Sequence, residues 1–343
     1  MSRGTLTRLA LALGLGLSVA AAGPVVQQRA PVPADDLPRE LGQTLPLGLP
    51  ELLPVPAGNP VTPESLALGR RLFFDPILSR DESLSCASCH RPDHGFASPD
   101  ALSLGVGGRR TLTNAPTLFN RAFARHFMWD GRVDTLEEQV LLPVENELEM
   151  DLPLADAAAR LRAHAEYGPL FEEAFGEPAS AATLGRALAT FVRHLVIGDS
   201  PVDRFRSGGV QGALTDLERT GMWVFDSKGR CWQCHVGPNF SDESFHNSGV
   251  GAVDGEPLPG RFAVTGEPAD RGRFKTPTLR ALSMTAPYMH DGSLASLADV
   301  VDFYRRGANP NDNLDARLAP IELTEREAAG LVAFLEALSR RAD

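Results

Sequence analysis

Apolar positions recur at helical spacing in several stretches of this chain, and nowhere do they settle into a sustained two-residue alternation. The first stretch opens at Thr62-Pro63-Glu64-Ser65, where a threonine can cap and a proline suits the first turn. Leu66, Gly69, Arg70 and Phe73 then follow along one helix. Residues 152–165 and 181–197 carry the same period, and residues 201–212 read as a connection rich in glycine and polar side chains. Thr215-Asp216-Leu217-Glu218 is a second capping pattern, leading a helix through Phe225. Residues 249–272 form a Gly- and Pro-rich loop, residues 296–306 a helix stopped by Gly307, and residues 324–340 a terminal helix. The expected fold is mostly α, with long loops.

The ends of the chain read differently. Arg3 and Arg8 precede an apolar run from Leu9 to about Ala21, and Ala20-Ala21-Ala22 offers small residues for cleavage before Gly23. That layout predicts a secretory signal peptide over 1–22 and export, to a periplasm or equivalent space. The apolar run is short for a bilayer span, so no stable membrane insertion is expected after cleavage. Residues 23–60, rich in Pro, Leu and Gly, read as an extended arm. What remains, roughly 320 residues, is long enough for two domains. Removing the leader takes the formal charge from −11 to about −13 (31 basic against 44 acidic residues). So acidic a chain argues against a nucleic-acid partner.

All four cysteines fall in two short runs, Cys86-Ala-Ser-Cys89-His90 and Cys231-Trp-Gln-Cys234-His235. Cys-x-x-Cys-His is the attachment pattern of c-type haem: two thioethers fix the macrocycle and the histidine lies under the iron. Paired disulfides or a shared zinc site are the other chemistries such cysteines allow. Two covalent haems agree with export and suggest one per domain. The division expected is 61–200, 201–321 and a C-terminal helix over 322–343.

Six further segments accompany the haem motifs. They are Leu68-Gly-Arg-Arg-Leu-Phe-Phe-Asp-Pro76, Asn114-Ala-Pro-Thr117, Trp129-Asp-Gly-Arg132, Pro143-Val144, Glu149-Met150 and Thr285-Ala-Pro-Tyr-Met-His-Asp-Gly292. With these, in this order and over nearly all of residues 60–310, the chain resembles the bacterial di-haem cytochrome c peroxidases and their relative MauG. The resemblance implies two cytochrome c-like domains, an N-terminal peroxidatic one and a C-terminal electron-transfer one. It implies that Glu149 stands over the peroxidatic haem and moves the proton during peroxide cleavage, as a partly desolvated carboxyl can. Taken alone, Glu149 reads rather as a member of a solvated acidic stretch with Glu145 and Glu147. Trp129 matches the tryptophan between the haems, which relays electrons; taken alone it is a buried aromatic in a turn. Asn114, Thr285 and Pro287 match calcium ligands, a side-chain oxygen and two backbone carbonyls of the kind Ca²⁺ prefers.

The chain also departs from the simple peroxidases. Their capping histidine on the first haem sits eight residues before the Asn-Ala-Pro-Thr asparagine, where this chain has Val106. Valine cannot bind iron, so the first haem is expected to be open, as in MauG; His94 and His126 are the other residues that could cap it. Where the peroxidases place an axial methionine on the second haem, the matching position is Tyr304, the tyrosine of MauG, with Met284 or Met289 as the alternative ligand. The surface tryptophan of MauG two residues before the second haem motif is here Gly229, leaving Trp223 or Trp232 to serve another route. The function expected is an exported peroxidase taking electrons from a small cytochrome or cupredoxin. The alternatives are oxidation of a partner protein's Trp or Tyr with hydrogen peroxide, or a non-catalytic di-haem electron carrier.

Overall fold

The computed structural model describes residues 1, 45–251 and 258–339. The expected leader and most of the expected arm, residues 2–44, lie outside the described residues. Helices dominate: α1 (Pro63–Phe74), α2 (Leu154–Ala163), α3 (Tyr167–Phe175), α4 (Ala181–Arg193), α5 (Pro201–Arg206), α6 (Asp216–Asp226), α7 (Leu297–Arg305) and α8 (Glu325–Ala337), with single helical turns between them. Two two-residue strands, β1 (Phe245–His246) and β2 (Phe274–Lys275), pair antiparallel with Phe245 opposite Lys275. They are too short to show an alternation in sequence. Among the described residues no helix is long and apolar enough to cross a membrane.

The caps explain where these helices start. Thr62 and Ser65 bond each other's backbone N–H across the first turn of α1, and Pro63 spends none of the orphan donors there. Ser180 with Thr183, Thr215 with Glu218, Ser296 with Asp299 and Thr324 with Glu327 repeat the reciprocal cap on α4, α6, α7 and α8. The expected helix 152–165 is two residues shorter at each end, and the expected helix 181–197 stops at Arg193. The expected connection 201–212 begins instead with α5: Ser200 and Asp203 form a cap, Pro201 takes the first position and Val202 is fully buried. Gly208 and Gly209 mark only its end. Helix α3 has no counterpart among the expected elements. It buries Tyr167 and Phe171 completely and ends on Gly176 at φ 64°.

Among the described residues two large apolar clusters organise the molecule, beside a small third one around Phe303. The first joins α1, α2, α3 and α4, with Phe73 in ring contact with both Phe96 and Phe191. The second joins α5, α6, α7 and α8 around Phe225, Phe240 and Phe334. Each contains one close helix crossing built on glycine. A Cβ on Gly69 of α1 would stand 1.9 Å from the Ala187 carbonyl of α4, and one on Gly221 of α6 1.8 Å from the Gly330 carbonyl of α8. Gly221→Ala is therefore expected to destabilise the protein by about 1–3 kcal/mol through overpacking, although alanine is the better helix former by nearly 1 kcal/mol. Denaturant unfolding of the holoprotein decides the sign; a stabilised variant would mean the helices part freely.

Candidate functional site

Each Cys-x-x-Cys-His run forms a tight turn that lines a cleft. Cys86–Cys89 make one helical turn and the His90 N–H bonds back to the Cys86 carbonyl at 2.9 Å; Cys231–Gln233 make a 3₁₀ turn and the His235 N–H returns to Cys231, also at 2.9 Å. In both, a phenylalanine with positive φ (Phe96 at 54°, Phe240 at 49°) turns its carbonyl onto the histidine. The contacts are 3.1 Å to His90 Nδ1 and 2.9 Å to His235 Nδ1. With Nδ1 donating to that carbonyl, Nε2 keeps its lone pair for a metal. Burial holds both imidazoles below their ordinary pKa, hence neutral, which is the ligating form.

The first cleft is lined by Cys86, Cys89, His90, Trp129 and Glu149; the second by Cys231, Cys234, His235, Tyr304 and again Trp129. They hold about 1380 and 1510 Å³ of free space, their open mouths included, room for a group the size of a haem. All four cysteines are free thiols, so neither run closes a disulfide. Burial pushes Cys86 and Cys231 up to about 12 and Cys234 up to about 11. The two runs line different clefts, so their four cysteines do not come together as one shared zinc site. The residues present thus fit a covalently held haem in each cleft.

Glu149 is half-buried, whereas Glu145 and Glu147 are exposed. Desolvation raises its pKa, against opposing contributions from Asn146 and Arg132. Its loop is pinned on both sides. The Glu149 carbonyl accepts from Val106 N–H at 2.8 Å, and Arg80 and Arg109 grip Asp151 at 2.8 and 2.5 Å. Gly105 permits that contact, since a Cβ there would lie 2.1 Å from the Leu148 carbonyl. Val106 and Glu149, 43 positions apart, are therefore neighbours through their backbones.

Trp129 is among the residues that border both clefts. Its indole N–H donates to the Asn114 carbonyl at 2.8 Å, its carbonyl accepts from Lys275 N–H at 2.8 Å, and its ring meets His290 edge-on at 6.2 Å. Asn114, Thr285 and Pro287 all line the second cleft, Pro287 after a cis peptide. The Asn114 amide nitrogen is spent on the carbonyls of Asp100 and Ala101, leaving its oxygen for another partner. Tyr304 is raised by burial, then by the cysteine sulfurs nearby. Met289 lines the same cleft; Met284 lies outside it, against Gly95. His94 lines neither cleft and is held by the Ala286 carbonyl at 2.5 Å. His126 lines the first, with Nδ1 on Asp134 at 2.7 Å. Trp223 and Trp232 are surface residues, 54% and 47% exposed, outside both linings.

Lys275 and His246 leave no sequence signal, and His290 shows only as part of the 285–292 segment, with no role attached. Lys275 lines both clefts; His290, stacked on Phe274 at 3.6 Å, lines the second, and His246 sits at its edge between Asp242 and Asp315, at 2.9 Å from each. Only folding brings them there.

Known proteins share this arrangement of sequence and fold. The family model for di-haem cytochrome c peroxidases matches residues 63–211. The methylamine utilization protein MauG of Methylorubrum extorquens is 44% identical over 292 residues, 84% of this chain and 82% of that one. The cytochrome c551 peroxidase of Pseudomonas aeruginosa is 34% identical over 299 residues, 85% and 83% of the two chains. Among solved structures, a MauG-like protein associated with microbial copper homeostasis superposes with TM-score 0.80 at 34% identity, covering 88% of this chain and 96% of its own.

Proposed function

The chain belongs to the di-haem cytochrome c peroxidase family, oxidoreductases acting on peroxide, and on that premise we propose that it reduces hydrogen peroxide in the cleft of His90 with electrons delivered through the cleft of His235. Cys86, Cys89 and His90 would hold one haem c and Cys231, Cys234 and His235 the other, each supplying an iron that exchanges electrons with its neighbours.

The observation that carries this reading is the inequality of the two clefts. The first contains Glu149, a carboxyl raised by desolvation, and the second does not. Glu149 accepts the proton of a bound peroxide and returns it to the departing oxygen, a role suited to a group whose pKa lies above the ordinary carboxylate range. Val106, buried and without a lone pair, offers no ligand atom beside Glu149, and His126, which lines this cleft, has its Nδ1 on Asp134. Trp129 passes electrons from one cleft to the other, since it borders both. Tyr304 offers a phenolic oxygen on the His235 side, a hard donor that favours oxidised iron. Asn114 with the carbonyls of Thr285 and Pro287 takes a Ca²⁺ ion. The acidic chain works after export, with a small cytochrome or cupredoxin as electron donor. Tyr304 favours a second reading, in which the electrons come from a Trp or Tyr of a partner protein, in keeping with the likeness to MauG.

Optical and EPR spectra of the ferric holoprotein, before and after one equivalent of peroxide, test the open site. One high-spin and one low-spin haem are expected, reacting without prior reduction. Two low-spin haems that react only after receiving an electron would place a protein ligand where Val106 leaves none.

A further inference from the structure

Between the clefts lies a buried group of charges that the proposed peroxide chemistry does not use. Lys275, 6% exposed, borders both clefts. It is held at both ends: its N–H donates to the Trp129 carbonyl at 2.8 Å, and its ammonium donates to Glu243 Oε2 at 3.1 Å. That ion pair is almost dry, its side chains 7% and 8% exposed. Arg121, which lines the first cleft, acts on both partners, yet its Nη2 and the Glu243 Oε1 are each buried without a hydrogen bond. Two cations therefore share one carboxylate. Asp242 adds negative charge from further off, but its own oxygens serve His246 and the Ser244 N–H, both at 2.9 Å. Among the described residues Glu243 is the one hydrogen-bond acceptor of the lysine ammonium, which has three donors to give. Burial, with Arg121 beside it, already brings Lys275 down to about 8. A buried cation in surplus is stable only where an anion meets it.

We propose that Lys275 is a charged anchor common to both clefts, giving its remaining donors to the peripheral carboxylates of the groups held there. This rests on the reading of both clefts as haem sites, because a haem c carries two carboxylate side chains. Lys275 is then a positioning residue. It fixes the edges of both groups against Trp129, whose carbonyl holds the same lysine. Its positive charge also favours the reduced state on either side, and Glu243 tempers that charge.

The test uses holoprotein of the parent, Lys275→Gln, Lys275→Arg and Glu243→Gln, titrated spectroelectrochemically at pH 6.5, where the lysine is charged. Lys275→Gln is expected to shift the midpoints of both haems downward, Glu243→Gln to shift both upward, and Lys275→Arg to stay near the parent. A plain structural ion pair would lower the melting temperature in both neutral variants without opposite shifts in potential. A midpoint that Lys275→Gln leaves unmoved, at either haem, overturns the shared anchor. Should Lys275→Gln not yield folded holoprotein, Glu243→Gln decides alone: an upward shift at both haems supports the anchor and its absence overturns it. A haemochrome assay on the parent separates the two ideas, since fewer than two haems would refute the haem reading instead.

Discussion

Replacing Glu149 by Gln is expected to lower kcat/KM for hydrogen peroxide by about 10²–10⁴-fold, the usual contribution of a positioned proton donor and acceptor. The substitution keeps shape and hydrogen bonding but removes the titrating oxygen. Haem content and the ferric spectrum should stay those of the parent, because the loop is fixed through the Val106–Glu149 backbone bond and the Arg80–Asp151–Arg109 grip rather than through the carboxylate. The pH profile carries a second signature. The carboxylate form is the base, so parent activity should fall as pH drops through the raised pKa of Glu149, and the variant should lose that limb. A non-catalytic electron carrier would show neither effect.

The largest expected loss of stability lies outside the clefts. Arg280 is 1% exposed and grips Asp203, 5% exposed at its side chain, through two hydrogen bonds of 2.8 and 2.9 Å. Two further donors go to the Pro238 carbonyl at 2.7 Å and the Gly48 carbonyl at 3.0 Å. Arg280→Met should destabilise the holoprotein by about 3–5 kcal/mol near neutral pH, because Asp203 is left charged and buried without its partner. The pH dependence has a definite sign. Desolvation alone would raise Asp203, but Arg280 and Ser200 outweigh it and the net shift is downward. The pair therefore adds stability above the unfolded carboxyl pKa of about 3.9, and that stability is lost as pH falls through the lower folded value. In Arg280→Met the unpaired, buried carboxyl binds a proton more readily than the unfolded one. The gap between parent and variant should therefore narrow as pH falls towards about 4 and narrow further below it, where the parent loses its own pairing. Denaturant unfolding at neutral pH and again at about pH 3.5, just under the unfolded carboxyl pKa, measures this. A gap that persists at low pH would show the loss to be one of packing.

Gly48 belongs to the segment that reads from sequence as a featureless arm. Folding ties down its described end: the Gly48 carbonyl takes Arg280, and the Leu47 carbonyl takes the Asp199 N–H at 2.8 Å. Helix α5 passes unnoticed for a related reason. Its cap, Ser200-Pro-Val-Asp203, is a good local signal, but six residues are too few to show a period, and the glycines that follow suggest a loop. Helix α3 is nine residues long and owes its stability to Tyr167 and Phe171, whose burial depends on α1, α2 and α4.

What the sequence determines by itself is local. Cysteine and histidine at fixed spacing close one turn, so the two attachment motifs are legible and fold as the same device twice. Reciprocal caps three residues apart likewise place the starts of α1, α6, α7 and α8. Glu149, Trp129 and Tyr304 could be singled out only by their likeness to a family. The tertiary structure decides what those motifs face. It half-buries Glu149 while exposing its acidic neighbours, sets Trp129 against both clefts, brings Lys275 from far along the chain to its carbonyl and leaves Met284 outside. The physical reason is that a turn or a cap is stabilised within one helical turn of backbone. Desolvation and the meeting of charges depend on which surfaces pack together, and no short stretch of sequence encodes that.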